Sequence, residues 1–155
     1  MVKIAIIGAG NIAAVHIDAY KMFADQCCIT AVCDLFVEKA EECIAAHQLN
    51  ATAYREIDDL FAHADFDAVS ICLPQDRHAD IAIKALQCGK HVLVEKPMAS
   101  SLQECDAMIA AAKASGKVLS VVCQNRFKTP MMKVKQLLEN GTIGKVYHTI
   151  VNSLW

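Results

Sequence analysis

Val2-Lys3-Ile4-Ala5-Ile6-Ile7-Gly8-Ala9-Gly10-Asn11-Ile12-Ala13 joins an apolar run to a glycine turn and the start of a helical pattern. Apart from Lys3 its first six residues are apolar, as in a strand buried on both faces. A turn with two glycines follows. Residues 11–22 then carry Ile12, Val15 and Ala19 at helical spacing, which predicts a helix with that stripe buried. The turn matches G-x-G-x-x-G/A between a strand and a helix. Gly8 permits the tight turn, and Gly10 lets the backbone approach a pyrophosphate. Asn11 and Ile12 open the helix whose N-terminus would hold that anion, and small Ala13 lets helix and strand pack closely.

Beyond this segment, apolar strands alternate with helical segments. Ile29-Thr30-Ala31-Val32-Cys33 is a second strand, ending at Asp34, and a helix is expected over residues 36–47. A short strand over 51–54 and a brief helix over 57–62 follow. Ala68-Val69-Ser70-Ile71-Cys72-Leu73 stops at Pro74, which cannot donate to a ladder. A helix over 79–87 is closed by Gly89. His91-Val92-Leu93-Val94 is the next strand, and Ser101-Leu102-Gln103-Glu104 is a capping box ahead of a stripe formed by Cys105, Met108, Ile109 and Ala112. A sixth strand is expected over 118–123. A last helix starts at Thr129-Pro130 with Val134, Leu137 and Leu138 inward and Gly141 at its end. Strands separated by such helices pair in parallel through right-handed crossovers, so the expected class is α/β, a doubly wound parallel sheet.

Composition excludes several function classes. The 155 residues are 55% hydrophobic and 21% charged, with formal net charge −2 and no basic stripe, which argues against nucleic acid as a partner. No apolar run approaches a membrane span. The apolar start resembles a signal segment but lacks a processing site, and a strand accounts for it better. Eight cysteines form no C-x-x-C pair, and six histidines form no H-x-x-x-H. The cysteines, most inside apolar segments, fit small buried hydrophobes in a reducing cytoplasm, and no metal-ligand spacing is found.

Four strand exits carry chemistry-bearing residues. Asp34 falls about 20 residues beyond the glycine turn, where a ribose-binding carboxylate belongs. A carboxylate there accepts from a 2′-hydroxyl and repels a 2′-phosphate, and Leu35 and Phe36 offer that phosphate nothing, so NAD is expected over NADP. Leu73-Pro74 leaves the fourth strand across from the glycine turn, with His78 either near the site or capping its helix. Glu95-Lys96-Pro97 leaves the fifth strand, and the Lys96-Pro97 bond is a candidate for the cis form. Gln124-Asn125-Arg126-Phe127 leaves the sixth, where Arg126 serves either a site or a surface ion pair.

Taken together, Gly8-Ala9-Gly10-Asn11-Ile12-Ala13, Cys33-Asp34, Leu73-Pro74 with His78, His91 through Pro97, Asn125-Arg126-Phe127 and Gly141-Thr142-Ile143-Gly144 resemble the N-terminal Rossmann domain of the Gfo/Idh/MocA oxidoreductases. The resemblance covers essentially the whole chain. It implies an NAD(P)-dependent dehydrogenase acting on a sugar, inositol or related polyol, with Lys96 as the catalytic lysine. It implies Glu95 near the nicotinamide ribose, Asn125 and Arg126 near nicotinamide and substrate, and the turn at 141–144 as the passage into a second α/β domain. Residues 1–143 are then the dinucleotide-binding domain. Residues 144–155, strongly strand-like, are the first strand of a second domain otherwise missing, and an exposed edge open to self-association into a homo-oligomer. Two other readings fit the fold: a non-catalytic NAD-binding sensor or regulator, and a methyltransferase, in which Glu95-Lys96-Pro97 has no role.

Overall fold

The computed structural model describes residues 1–152. It comprises two compact units, Met1–Val122 and a second from Cys123 onward.

The first unit is a six-stranded sheet, all parallel, in the order β3-β2-β1-β4-β5-β6. Its strands are β1 (Val2–Ile7), β2 (Cys27–Cys33), β3 (Thr52–Tyr54), β4 (Ala68–Ile71), β5 (His91–Val94) and β6 (Leu119–Val121). The helices between them are α1 (Asn11–Lys21), α2 (Val37–His47), α3 (Ile57–His63), α4 (His78–Gln87) and α5 (Leu102–Ser115). This is the doubly wound Rossmann arrangement that the sequence predicts, with the strand order reversing between β1 and β4.

The all-apolar β1 is explained by two cores, one on each face of the sheet. Ile4 and Ile6 pack with Ala13 and Ile17 of α1 and Ala40 of α2. Ala5 and Ile7 face the other way, toward Ala82 and Leu86 of α4 and Met108 of α5. The β1–β2 register shifts between Ile4 and Ala5, so Ile29 and Val32, three residues apart, both join the first of these cores. Ser101 accepts from the Glu104 N–H while the Glu104 carboxylate accepts from the Ser101 N–H, completing the capping box at α5.

Two predicted stripes differ from what is observed. The buried face of α1 is Ala13, His16 and Ile17, while Val15 is 60% exposed and Ile12 and Ala19 also lie outward. Both faces have helical spacing, and a reading that counts histidine as polar selects the wrong one. On α5 only Met108 of the expected stripe is fully buried, and Ile109 is exposed.

In the second unit, α6 (Thr129–Glu139) forms where expected, with Pro130 in its first turn. None of its residues is fully buried, and Val134 and Leu138 are exposed, so the predicted inward face is not covered among the described residues. Residues 145–152 form no regular strand and are exposed. A strand exists only with a partner to complete its hydrogen bonds, and none pairs with this segment among the described residues. The remaining residues of that expected strand, 153–155, lie outside the described residues. Among the described residues no helix is long and apolar enough to cross a membrane, and no cluster of three or more potential metal ligands occurs.

Candidate dinucleotide and lysine site

Parallel pairing lines up the strand exits. Cys33, Ile7, Ile71 and Val94 are register partners across β2, β1, β4 and β5. The residues that follow them, Asp34, Gly8, Cys72 and Glu95, therefore form a row along the carboxyl edge, where α/β sheets bind ligands.

Gly8 is fixed by both neighbours. Its N–H donates to the Cys33 carbonyl at 2.8 Å, its φ is +95°, and a Cβ there would stand 2.7 Å from the Cys72 carbonyl oxygen. Gly10 differs. Its backbone is extended, and a Cβ would meet nothing within 4 Å, leaving open space at the start of α1. No side chain caps α1, and no acidic residue lies in its first turn, where Asn11 and Ile12 sit. The first N–H groups of a helix have no intrahelical acceptors and attract an anion. An uncapped helix end with clear space beside Gly10 fits a pyrophosphate.

Asp34 ties the turn to β2. Its Oδ2 accepts from the Ala9 N–H at 2.8 Å and its Oδ1 from the Phe36 N–H at 3.0 Å. The carboxylate thus has a fixed position at the mouth of a cleft of about 430 Å³ lined by Ile7, Asp34, Leu35, Arg55, Leu73 and Arg77 among others. Sequence reading missed the two arginines. Tyr54 pairs with Cys33, so Arg55 emerges beside Asp34, a neighbour visible only once β3 is placed against β2.

Pro74 starts a short 3-10 turn, Gln75–Arg77, leading into α4. His78 neither caps α4 nor faces the open edge. It is 1% exposed, with Nε2 2.8 Å from the Leu73 carbonyl oxygen and Nδ1 2.9 Å from that of Pro97. A neutral ring donates to one of these carbonyls and an imidazolium to both. Either way His78 joins the β4 exit to the β5 exit.

The β5 exit separates its two charged residues. Lys96 is exposed, and its ammonium has no ion-pair partner among the described residues. Glu95 turns inward and is buried. Its Oε1 lies 3.0 Å from His16 Nε2, and its Oε2 accepts from the Lys96 N–H at 3.0 Å. On the far side of His16, Nδ1 is 2.7 Å from Ser70 Oγ. The signals for this trio were a histidine on the α1 face with Ala13 and Ile17, and a serine inside an apolar strand. The Lys96-Pro97 bond is cis.

Asn125 and Arg126 belong to the second unit, in the 3-10 turn Gln124–Phe127, and both are exposed. All eight cysteines are free thiols. Burial pushes the Cys33 thiol up to about 11 and the Cys72 thiol up to about 12. Both are therefore protonated and unreactive at neutral pH, as small buried hydrophobes should be, whereas the other six are not buried: Cys88 is exposed and the rest are half-buried.

Residues 2–123 match the oxidoreductase family with an NAD-binding Rossmann fold, Gfo/Idh/MocA. The chain belongs to this family. It is 31% identical over 144 residues to a myo-inositol 2-dehydrogenase of Thermotoga maritima, covering 92% of this chain and 42% of the relative. It is 30% identical to a D-glucoside 3-dehydrogenase of Escherichia coli, covering 98% of this chain and 43% of the relative. A solved WlbA dehydrogenase from Bordetella pertussis, in complex with NADH and UDP-GlcNAcA, superposes with a TM-score of 0.89 at 30% identity, covering 94% of this chain and 44% of that one. The chain thus spans less than half the length of each.

Proposed function

We propose that this chain is the cofactor-binding part of an NAD-dependent dehydrogenase that oxidises a secondary alcohol of a sugar, inositol or related polyol. The observation that carries the reading is the row of strand exits. It aligns the Gly8–Gly10 turn, the fixed Asp34 carboxylate and the Glu95-Lys96 segment on one edge of the sheet. The names of the relatives support the substrate class.

In this reading the uncapped start of α1 holds the pyrophosphate, and Asp34 meets the adenosine ribose. Leu35, Leu73 and Pro74 flank the dinucleotide, and Lys96 lies at its nicotinamide end. When bound, the dinucleotide supplies a two-electron acceptor for the hydride of the alcohol carbon, while the hydroxyl proton passes to a base. The Lys96 ammonium stabilises the negative charge that develops on the alcohol oxygen. Residues 1–143 act as the dinucleotide-binding domain, and residue 144 begins a second domain that completes the substrate pocket. The unpaired thiols favour a reducing, cytoplasmic setting.

NAD is preferred over NADP because Asp34 sets a negative charge where a 2′-phosphate would lie. The structure adds a condition: Arg55 and Arg77 line the same cleft, and Asp34 stands against their serving that phosphate together with Asp58 and Glu56, which pairs with Arg55 at 3.4 Å. Asp34→Ser is therefore expected to weaken NADH binding about tenfold and to strengthen NADPH binding by a similar factor. Fluorescence titration of both nucleotides, with S-adenosylmethionine as a third ligand, tests this. Tighter binding of NADPH than NADH by the unsubstituted chain would refute the preference. Binding of S-adenosylmethionine alone would refute the dehydrogenase reading.

A further inference from the structure

Ser70 of β4, His16 of α1 and Glu95 just beyond β5 are three buried polar residues that form one continuous hydrogen-bonded chain. The order of groups, hydroxyl to imidazole to carboxylate, is that of a hydrolytic triad. Burial rules that use out: Ser70 is 0% exposed in the middle of β4, where no substrate carbonyl reaches its oxygen. The chain leads instead to the surface at its other end, because Glu95 Oε2 accepts from the backbone N–H of Lys96.

The directions of these bonds follow from chemistry. A carboxylate only accepts, so His16 Nε2 carries the proton toward Glu95. In the neutral ring Nδ1 is then an acceptor, and the Ser70 hydroxyl, free to rotate, donates to it. Every polar atom of the trio is satisfied with no charge on the ring, and no buried side-chain nitrogen or oxygen lacks a partner among the described residues.

We propose that His16, acting through Glu95, is a positioning residue for Lys96, with Ser70 orienting the ring. The inference rests on the reading of Lys96 as the site lysine. It assigns Glu95 to holding that lysine's backbone rather than to contacting a nucleotide, since the carboxylate is buried and turned inward to His16. A flexible lysine on a surface loop does not by itself hold an ammonium at one place, and a backbone anchored to the sheet and to α1 reduces that freedom.

The test uses the whole chain and two His16 variants that separate hydrogen bonding from packing. His16→Gln keeps an N–H donor for Glu95, and His16→Leu keeps apolar bulk without one. Amide hydrogen exchange followed by nuclear magnetic resonance is expected to show Lys96 exchanging about tenfold faster in His16→Leu, the ratio for one ordinary lost hydrogen bond. It should stay within about threefold of wild type in His16→Gln, with Val92 and Val94 of β5 unchanged in both. The ring nitrogens of His16 should report the Nε2-protonated tautomer. Lys96 exchange preserved by Leu and lost with Gln would mean that His16 only fills space, and would overturn the proposal. Glu95→Gln should leave NADH affinity within about threefold of wild type. A drop of tenfold or more with Lys96 protection intact would give the carboxylate to the cofactor instead. If the unsubstituted chain fails to bind NADH, the functional reading falls, while the exchange comparison of the two His16 variants still decides the positioning role.

Discussion

Gly8→Ala is expected to lower the melting temperature by about 10 °C or more, and Gly10→Ala, two residues on, to shift it by no more than about 3 °C. The motif assigns Gly8 to the tight turn and Gly10 to the close approach of a pyrophosphate, and their surroundings differ accordingly. At Gly8 the backbone has φ +95°, where a side chain is strained, and the added methyl would stand 2.7 Å from one backbone atom of Cys72 and 2.9 Å from another. Neither strand can move aside easily. β1 is hydrogen-bonded to β2 and β4 on either flank, and the Gly8 N–H is itself bound to Cys33. Strain at positive φ costs roughly 1–2 kcal/mol and the clash adds a comparable amount, a large share of the roughly 5–15 kcal/mol that holds a domain together. At Gly10 the backbone is extended and the space is empty, so alanine costs little. Paired thermal melts of the two variants measure this. Equal shifts would show that the contact between the glycine turn and β4 is not what fixes Gly8.

The second large effect concerns chemistry. In a form of the protein that oxidises a polyol, Lys96→Ala should reduce kcat by about a thousandfold, the range for losing one group that stabilises developing charge. NADH affinity should remain within about threefold, because the proposed cofactor contacts come mainly from the α1 N-terminus and Asp34. The exposed position of Lys96, with no ion-pair partner among the described residues, leaves its ammonium available to a substrate oxygen. Its backbone, held by Glu95, limits where that ammonium can go. Steady-state kinetics separates kcat from KM. A variant that kept its kcat while KM rose would make Lys96 a binding residue only.

Much of this was legible in the sequence, for identifiable reasons. Strands buried on both faces leave unbroken apolar runs, and glycine or proline marks their exits, so β1, β4 and β5 and the edge they share follow from Gly8, Pro74 and Pro97. The capping box at Ser101 is local chemistry and forms as expected. Features that depend on non-local contacts were not legible. The buried face of α1 could not be chosen by spacing alone, because His16 is acceptable inside only when Ser70 and Glu95, 54 and 79 residues away, arrive to bond it. Arg55 joins Asp34 only through the β2–β3 pairing. The inward stripe assigned to α6 had the right period, but periodicity does not say whether a partner covers the face.

Isothermal titration of NADH into the chain, beside Gly10→Val, measures whether the Gly8–Gly10 turn holds a dinucleotide. The unsubstituted protein is expected to bind one NADH per chain saturably. A loss of at least about thirtyfold is expected in Gly10→Val, whose larger side chain fills the space at the start of α1, with the circular dichroism spectrum unchanged. No binding up to millimolar NADH, or equal affinity in the two proteins, would contradict a dinucleotide site at the Gly8–Gly10 turn.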